Sequence, residues 1–249
     1  SIGPAGESGC RYACIVNDMH RAAGRSGVGA VMGAKQLKAI AVRGTAGVKV
    51  RDMKAFVSAA NDFNTVLAKS KPRQGLSRHG TIAMMDVTGG YGALPTRNNR
   101  EVQFEGHGKL NATALATPND NGHTNLIQNS ACFSCTIGCG RISHIDPQHF
   151  SVKDQPRYQG ASGGLEYETA YALGSAVGVD DLDAATYAGF LCNDYGMDPI
   201  SLGGSIAAAM ELYDVGALTE KDTGGIKLEF GSAEALCQVT ELVGKGEGI

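Results

Sequence analysis

The sequence predicts an α+β protein in which a short strand-bearing start is followed by a mainly helical body. Two runs near the start carry the β part. Residues 11–16 are apolar and suited to a strand, and residues 37–42 (Leu-Lys-Ala-Ile-Ala-Val) alternate and end at Gly44. The α part begins at residue 51. Asp52 is a fitting N-cap for a helix to about Lys69, with Met53, Phe56, Val57, Ala60, Phe63 and Leu67 at helical spacing. After residue 164 the helical pattern returns. One helix is expected over 166–177, and a second is capped by Asp180 or Asp181 and runs to Tyr195, with Gly196 as its left-handed stop. A third covers about 201–215, and a fourth starts at Ser232-Ala233-Glu234 and breaks at Gly244. Between the two strands, 17–29 reads as a loop and 28–35 as a short helix. Residues 70–130, rich in Gly, Asn, Thr and Pro, show too little periodicity to divide into elements.

Composition narrows the class. With 43% hydrophobic and 19% charged residues over 249 positions, the chain has enough volume for a packed core. A formal charge of -3 gives no basic face for nucleic acid. No apolar stretch approaches the roughly 20 residues that span a bilayer. The opening Ser1-Ile2-Gly3-Pro4 has no charged leader and reads as the interior of a longer polypeptide. Thirty-five glycines are about twice the usual share of roughly 7%. That excess suggests backbone packed closely against something, such as a flat cofactor or a phosphate. Seven cysteines, three clustered and four scattered, do not read as a disulfide framework. They suit a reducing, cytoplasmic compartment and one metal site.

The clustered thiols are Cys132, Cys135 and Cys139, spaced C-x2-C-x3-C. Thiolates so spaced can reach one cubane, and Gly138 and Gly140 help the backbone turn its N–H groups toward sulfur. Structural zinc is the main rival, with His144 or His149 as fourth ligand. Three unrelated buried thiols are the plainest alternative. For a cluster, spacing alone leaves Cys192, Cys237 or a cysteine outside the chain as the fourth ligand.

Residues 20–33 (His-Arg-Ala-Ala-Gly-Arg-Ser-Gly-Val-Gly-Ala-Val-Met-Gly) match neither G-x-G-x-x-G nor a Walker A loop. Free N–H groups at a helix start, with Arg21 and Arg25 nearby, suit an anion. A glycine-rich packing turn with solvated arginines fits equally well.

Taken in order, these pieces resemble the tungsten-pterin aldehyde:ferredoxin oxidoreductase family. The carriers are Gly3-Pro4-Ala5-Gly6-Glu7, the 21–33 loop leading into 37–42, and Leu94-Pro95-Thr96-Arg97-Asn98. They continue through the three cysteines, Glu166-Tyr167-Glu168-Thr169, and Leu191-Cys192-Asn193-Asp194-Tyr195-Gly196-Met197-Asp198. The resemblance implies tungsten held by the dithiolenes of two pterins, with a [4Fe-4S] cluster on Cys132, Cys135 and Cys139. The fourth cluster cysteine would then lie outside this chain. Arg21, Ala22, Gly24 and Arg25 match residues that touch pterin phosphate, and the Ala22 carbonyl would face a bridging Mg2+. Asn193, Gly196, Met197 and Asp198 align with a D-x-x-G-L-[CD] pterin motif, in which Asn and Met here replace Asp and Leu.

Glu168 matches a glutamate near tungsten, beside Tyr167. A carboxylate in a water-poor pocket suits proton transfer, and a tyrosine hydroxyl could polarise an aldehyde oxygen. Read without the resemblance, Glu168 is a helix N-terminal carboxylate. Tyr187 falls where archaeal members place a glutamate ligand to an intersubunit iron, so no such iron is expected. The resemblance divides the chain into the end of a pterin-binding β domain (1–48) and a helical domain (49–249), well under half of a whole family member. The implied reaction oxidises an aldehyde to a carboxylic acid, passing electrons to a ferredoxin or ferredoxin-like iron–sulfur subunit, with a flavin subunit in some bacterial relatives. The alternatives are the catalytic subunit of a tungsten-dependent benzoyl-CoA reductase and a non-catalytic iron–sulfur or zinc module. The physiological aldehyde, tungsten versus molybdenum, and the reaction's direction are not encoded in these motifs.

Overall fold

The computed structural model describes residues 1–247 as a mixed α+β structure, mostly helical with two small sheets. The chain opens with a single helical turn, α1 (Pro4–Glu7), started by a proline whose missing N–H has no intrahelical use there. Strands β1 (Ile15–Asn17) and β2 (Arg21–Ala23) follow as an antiparallel hairpin with Asn17 opposite Arg21. The stretch expected to be loop from residue 17 is therefore partly strand. Asp18 and Met19 take positive φ at the bend and let the chain reverse. Helix α2 (Val28–Ala34) then packs on α1, and only glycine permits the crossing: a methyl at Gly33 would overlap the Gly6 carbonyl. Some of the glycines thus serve contacts of the chain with its own backbone.

The strand expected over 37–42 does not form. A strand needs a ladder, and the Lys38 carbonyl accepts one bond, from the Ile2 N–H at 3.0 Å. Ile40 and Val42 stand 69% and 88% exposed. Helix α3 (Met53–Lys69) is as expected, with the Asp52 carboxylate accepting the Ala55 N–H at 2.9 Å. Its apolar face is nevertheless open to solvent, and no residue of it is buried.

The stretch 70–130 resolves into short helices, α4 (Lys71–His79), α5 (Met84–Tyr91) and α6 (Ala112–Ala116), and into strand β3 (Leu126–Ser130). Nine residues or fewer give each helix too few turns to display a period. Strand β3 pairs antiparallel with β4 (Gly140–Ser143), which pairs with β5 (Ser162–Gly163). The three cysteines lie on the loop joining β3 to β4.

Helix α7 (Tyr167–Ala172) is shorter than expected. Gly174 leaves the helical conformation (φ -120, ψ -97), and a 3-10 turn over Ser175–Val177 follows. Helix α8 (Leu182–Tyr195) has the expected ends: the Asp181 carboxylate accepts the Ala184 N–H at 2.9 Å, and Gly196 stops it at φ 72. Every residue from Ala184 to Cys192 is buried, which makes α8 the central helix. Helix α9 (Pro199–Asp214) is capped by Asp198, and α10 (Ala233–Lys245) by Ser232. The expected break at Gly244 is absent. Gly244 instead lets α10 approach the Tyr195 ring of α8, and Gly246 (φ 72) ends the helix. Among the described residues no helix is long and apolar enough to cross a membrane.

Candidate functional site

Two stretches far apart in sequence are zipped together by backbone. The Cys14 N–H donates to the Gly196 carbonyl at 2.8 Å, the Asp198 N–H donates to Tyr12 at 3.0 Å, and Ala13 bridges Met197. Gly3 presses on the end of α8 from behind, where a methyl would overlap the Tyr195 carbonyl. These contacts set the β1–β2 hairpin beside the C-terminal end of α8, and the start of α7 closes a third side. A cavity of about 200 Å³ results. It gathers Arg21, Ala22 and Gly24 from the hairpin side, Asn193, Met197 and Asp198 from the end of α8, and Glu168 from α7.

Charge in the cavity is mixed. Arg21 Nη1 lies 2.8 Å from Glu166 Oε1, and that bond holds the guanidinium above its ordinary pKa. Arg25 stands outside the lining, exposed, with Nε 3.7 Å from Asp198 Oδ2. Asp198 is buried and accepts the Ser201 N–H at 2.8 Å, so its carboxylate also caps α9. Burial, reinforced by Asp198, pushes the Cys14 thiol up to about 11, which keeps it neutral. Burial and the neighbouring Arg21 lower the His20 pKa, which favours neutral imidazole.

Two residues expected at the active site are placed as follows. Glu168 lines the cavity and is exposed, because the described residues leave its side of the cavity open. Tyr167 is not in the lining. Its N–H donates to Thr81 Oγ1 at 3.1 Å, and its ring packs on Tyr171 with centroids 5.4 Å apart.

The cavity also holds a residue that sequence reasoning missed. Arg141 is 3% exposed, lines the cavity and, among the described residues, bonds only carbonyls: Gly140 at 2.8 Å, and Leu76 and Ser77 at 3.4 Å. Burial lowers its pKa. Its signal in the sequence was an arginine two residues after the last clustered cysteine.

With Arg21 and Arg141 set against Glu166, Glu168 and Asp198, the cavity's chemistry suits a polar ring system that offers both donors and acceptors. His20 Nδ1 is a buried atom without a hydrogen-bond partner among the described residues. At Gly163 and Gly164 a methyl would press on the His20 ring and the Ser143 hydroxyl, while Gly24 faces open space. An unpaired acceptor or donor, a side-chain-free floor and two arginines are what a pterin with its phosphate requires.

The cysteine loop differs in kind. Cys132 and Cys135 are exposed and Cys139 is half-buried. Left-handed Ser134 (φ 57) and Gly138 (φ 64) coil the loop, and the Cys135 N–H closes a turn onto the Cys132 carbonyl at 3.0 Å. The Ile137 N–H points at Cys135 Sγ at 3.4 Å. The N–H groups of Ile137 and Gly138 hold the Cys135 thiol below its ordinary pKa.

No three His, Cys, Asp or Glu side chains among the described residues are placed to share a single ion. The zinc alternative loses its histidines as well. His144 Nε2 bonds the Thr124 carbonyl at 3.0 Å, and His149 lies between Asp181 at 3.1 Å and Ser151 at 2.8 Å. Cys192 and Cys237 lie buried in the helical core, their thiols raised by burial. Tyr187 is a core residue, 2% exposed and edge-on to Tyr158.

Family models decide the ancestry. Residues 58–249 match domains 2 and 3 of aldehyde ferredoxin oxidoreductase, and residues 1–44 match its N-terminal domain. The chain belongs to the aldehyde ferredoxin oxidoreductase family. Across its whole length it is 40% identical to the tungsten-containing aldehyde ferredoxin oxidoreductase of Pyrococcus abyssi and 35% identical to that of Pyrococcus furiosus. It spans 39% and 38% of those proteins, about two-fifths of their length. A 28% identical relative is the aliphatic sulfonate oxidoreductase, WOR-like subunit, of Pyrococcus furiosus. Among solved structures, the benzoyl coenzyme A reductase active-site complex BamBC superposes with a TM-score of 0.69 at 20% identity. That superposition covers 96% of this chain and 35% of the other, and it establishes a shared fold.

Proposed function

We propose that the chain forms part of a tungsten-pterin, iron–sulfur oxidoreductase that oxidises aldehydes to carboxylic acids and delivers the electrons to a ferredoxin-type acceptor. The observation that carries this reading is the cavity. Residues 21–24, 168 and 193–198, remote in sequence, converge there on a polar, glycine-floored space edged by Arg21 and Arg141. Identity of 40% across this chain to an aldehyde oxidoreductase favours aldehyde chemistry over ring reduction, for which there is a likeness of fold alone.

In this reading residues 1–48 end the pterin-binding β domain and 49–249 belong to the helical part. Arg21, Ala22, Gly24 and Arg25 would hold pterin phosphate, and the Ala22 carbonyl would contribute to binding Mg2+. Asn193, Met197 and Asp198 hold the pterin ring. Cys132, Cys135 and Cys139 would hold a [4Fe-4S] cluster, which does not need a ligand set shared by one ion. The missing single-ion site is compatible with that arrangement.

When bound, the tungstopterin and cluster supply the two-electron oxidation and pass the electrons outward. The chain's own work is to position and to move protons. Glu168, at the open side of the cavity, accepts the proton of the water that attacks the carbonyl carbon. Asp198 receives no proton role, since its carboxylate is committed to the α9 cap. Tyr167, next to Glu168, is proposed to polarise the aldehyde oxygen through its hydroxyl. Seven free thiols fit a cytoplasmic setting. The test is a viologen-dye assay of the purified whole enzyme with benzaldehyde. Aldehyde-dependent dye reduction is the expected result, and its absence would overturn the reading.

A further inference from the structure

The cysteine loop is not shaped by its own turn alone. Helix α4 lies across it and grips its backbone. Arg73 Nε donates to the Thr136 carbonyl at 3.0 Å, and Arg73 Nη2 donates to the same oxygen. One turn along the helix, the Ser77 hydroxyl donates to the Ile137 carbonyl. The grip is returned from the two strands that flank the loop. Asn129 Nδ2 of β3 donates to the Ser77 carbonyl at 2.8 Å, satisfying an acceptor near the end of α4, and Arg141 of β4 reaches the Leu76 and Ser77 carbonyls at 3.4 Å.

Pinning the carbonyls of residues 136 and 137 fixes the peptide planes that follow them. Those planes carry the N–H groups of Ile137 and Gly138, and the Ile137 N–H points at Cys135 Sγ. Arg73 belongs to no ion pair among the described residues, so its charge stays beside the loop.

We infer that Arg73 and Ser77 are positioning residues for the iron–sulfur centre: they orient the N–H groups that hydrogen-bond the Cys135 sulfur, and Arg73 places an unpaired positive charge beside it. The inference rests on the proposed cluster at Cys132, Cys135 and Cys139. Hydrogen bonds to cluster sulfurs and nearby charge both raise a cluster's reduction potential. Arg73→Gln removes charge and grip together, Arg73→Lys keeps the charge but loses the two-nitrogen grip, and Ser77→Ala removes the second tether alone.

The experiment is a redox titration of the holoenzyme, followed by electron paramagnetic resonance, with pulsed detection of exchangeable protons after transfer to D2O. Arg73→Gln is expected to lower the midpoint potential by roughly a tenfold change in the reduced-to-oxidised ratio, about 59 mV for one electron. Ser77→Ala and Arg73→Lys are expected to shift it less, in the same direction, and to change the exchangeable-proton couplings. Cluster spectra and potentials identical to the parent in all three variants would overturn the inference. A parent enzyme with tungsten but no [4Fe-4S] spectrum would instead overturn the cluster itself. Helix α4 has no buried residue, so these substitutions leave the core untouched.

Discussion

The cavity wall and the cysteine loop are built by opposite means. The wall is held from inside: Cys14 and Asp198 exchange backbone bonds with Gly196 and Tyr12, Met197 is 2% exposed, and Gly3 backs directly onto Tyr195. The loop is held from outside, by two side chains of a helix with no buried residue, and its Cys132 and Cys135 remain exposed. A wall made of buried backbone keeps its shape without a ligand. A loop held by a few exposed bonds is completed by what it binds. Substitutions in the wall should therefore change stability and cofactor geometry, whereas substitutions in the loop should change metal content and leave the fold alone.

The largest effect is expected from Cys135→Ser. Iron per chain, measured by mass spectrometry, should fall to near zero while circular dichroism and tungsten content stay at parent values. Loss of the helical signal as well would erase the distinction between the regions. Glu168→Gln tests the wall's chemistry alone. It should reduce kcat/KM for aldehyde by roughly 100- to 10,000-fold with tungsten and iron both retained, because one proton acceptor is lost.

Gly3→Ala tests the wall's packing. Forcing a methyl against the Tyr195 carbonyl should cost about 3 kcal/mol in thermal or denaturant unfolding, without altering iron binding per folded molecule. The smallest effect is expected at Asp146, just after β4. Burial pushes its carboxyl up, but bonds from Asn121, Gln148 and Asn119 outweigh that and bring it down to about 2. The stabilisation is thus complete above about pH 4 and lost as the pH falls toward 2. Asp146→Asn should flatten the acid limb of a stability–pH curve over that range, and an unchanged limb would show that the bonds do not matter.

Elements whose causes are local were readable in the sequence. Asp52, Asp181 and Ser232 each cap a helix three residues before the N–H they accept, and Gly196 stops α8 as a left-handed glycine must. The strand over 37–42 was misread because its alternation is local while a ladder is not. Helices α4 to α6 were invisible for want of length. At the site, Arg21, Ala22, Gly24, Asn193, Met197, Asp198 and Glu168 were marked by motif, and the structure places them around one cavity. Arg141, Arg73 and Ser77 carried no motif. Arg73 and Ser77 act on partners about 60 residues away in the chain, a relation that no spacing within one segment reveals. Glu168 lines the cavity, but its exposure depends on which surfaces surround it, and sequence pattern does not describe that.

The most direct test of the central claim is elemental analysis of the whole purified enzyme, because one measurement interrogates both regions. Tungsten together with about four irons per chain is the predicted result, the first held at the cavity and the second at the cysteine loop. Zinc without tungsten would contradict it.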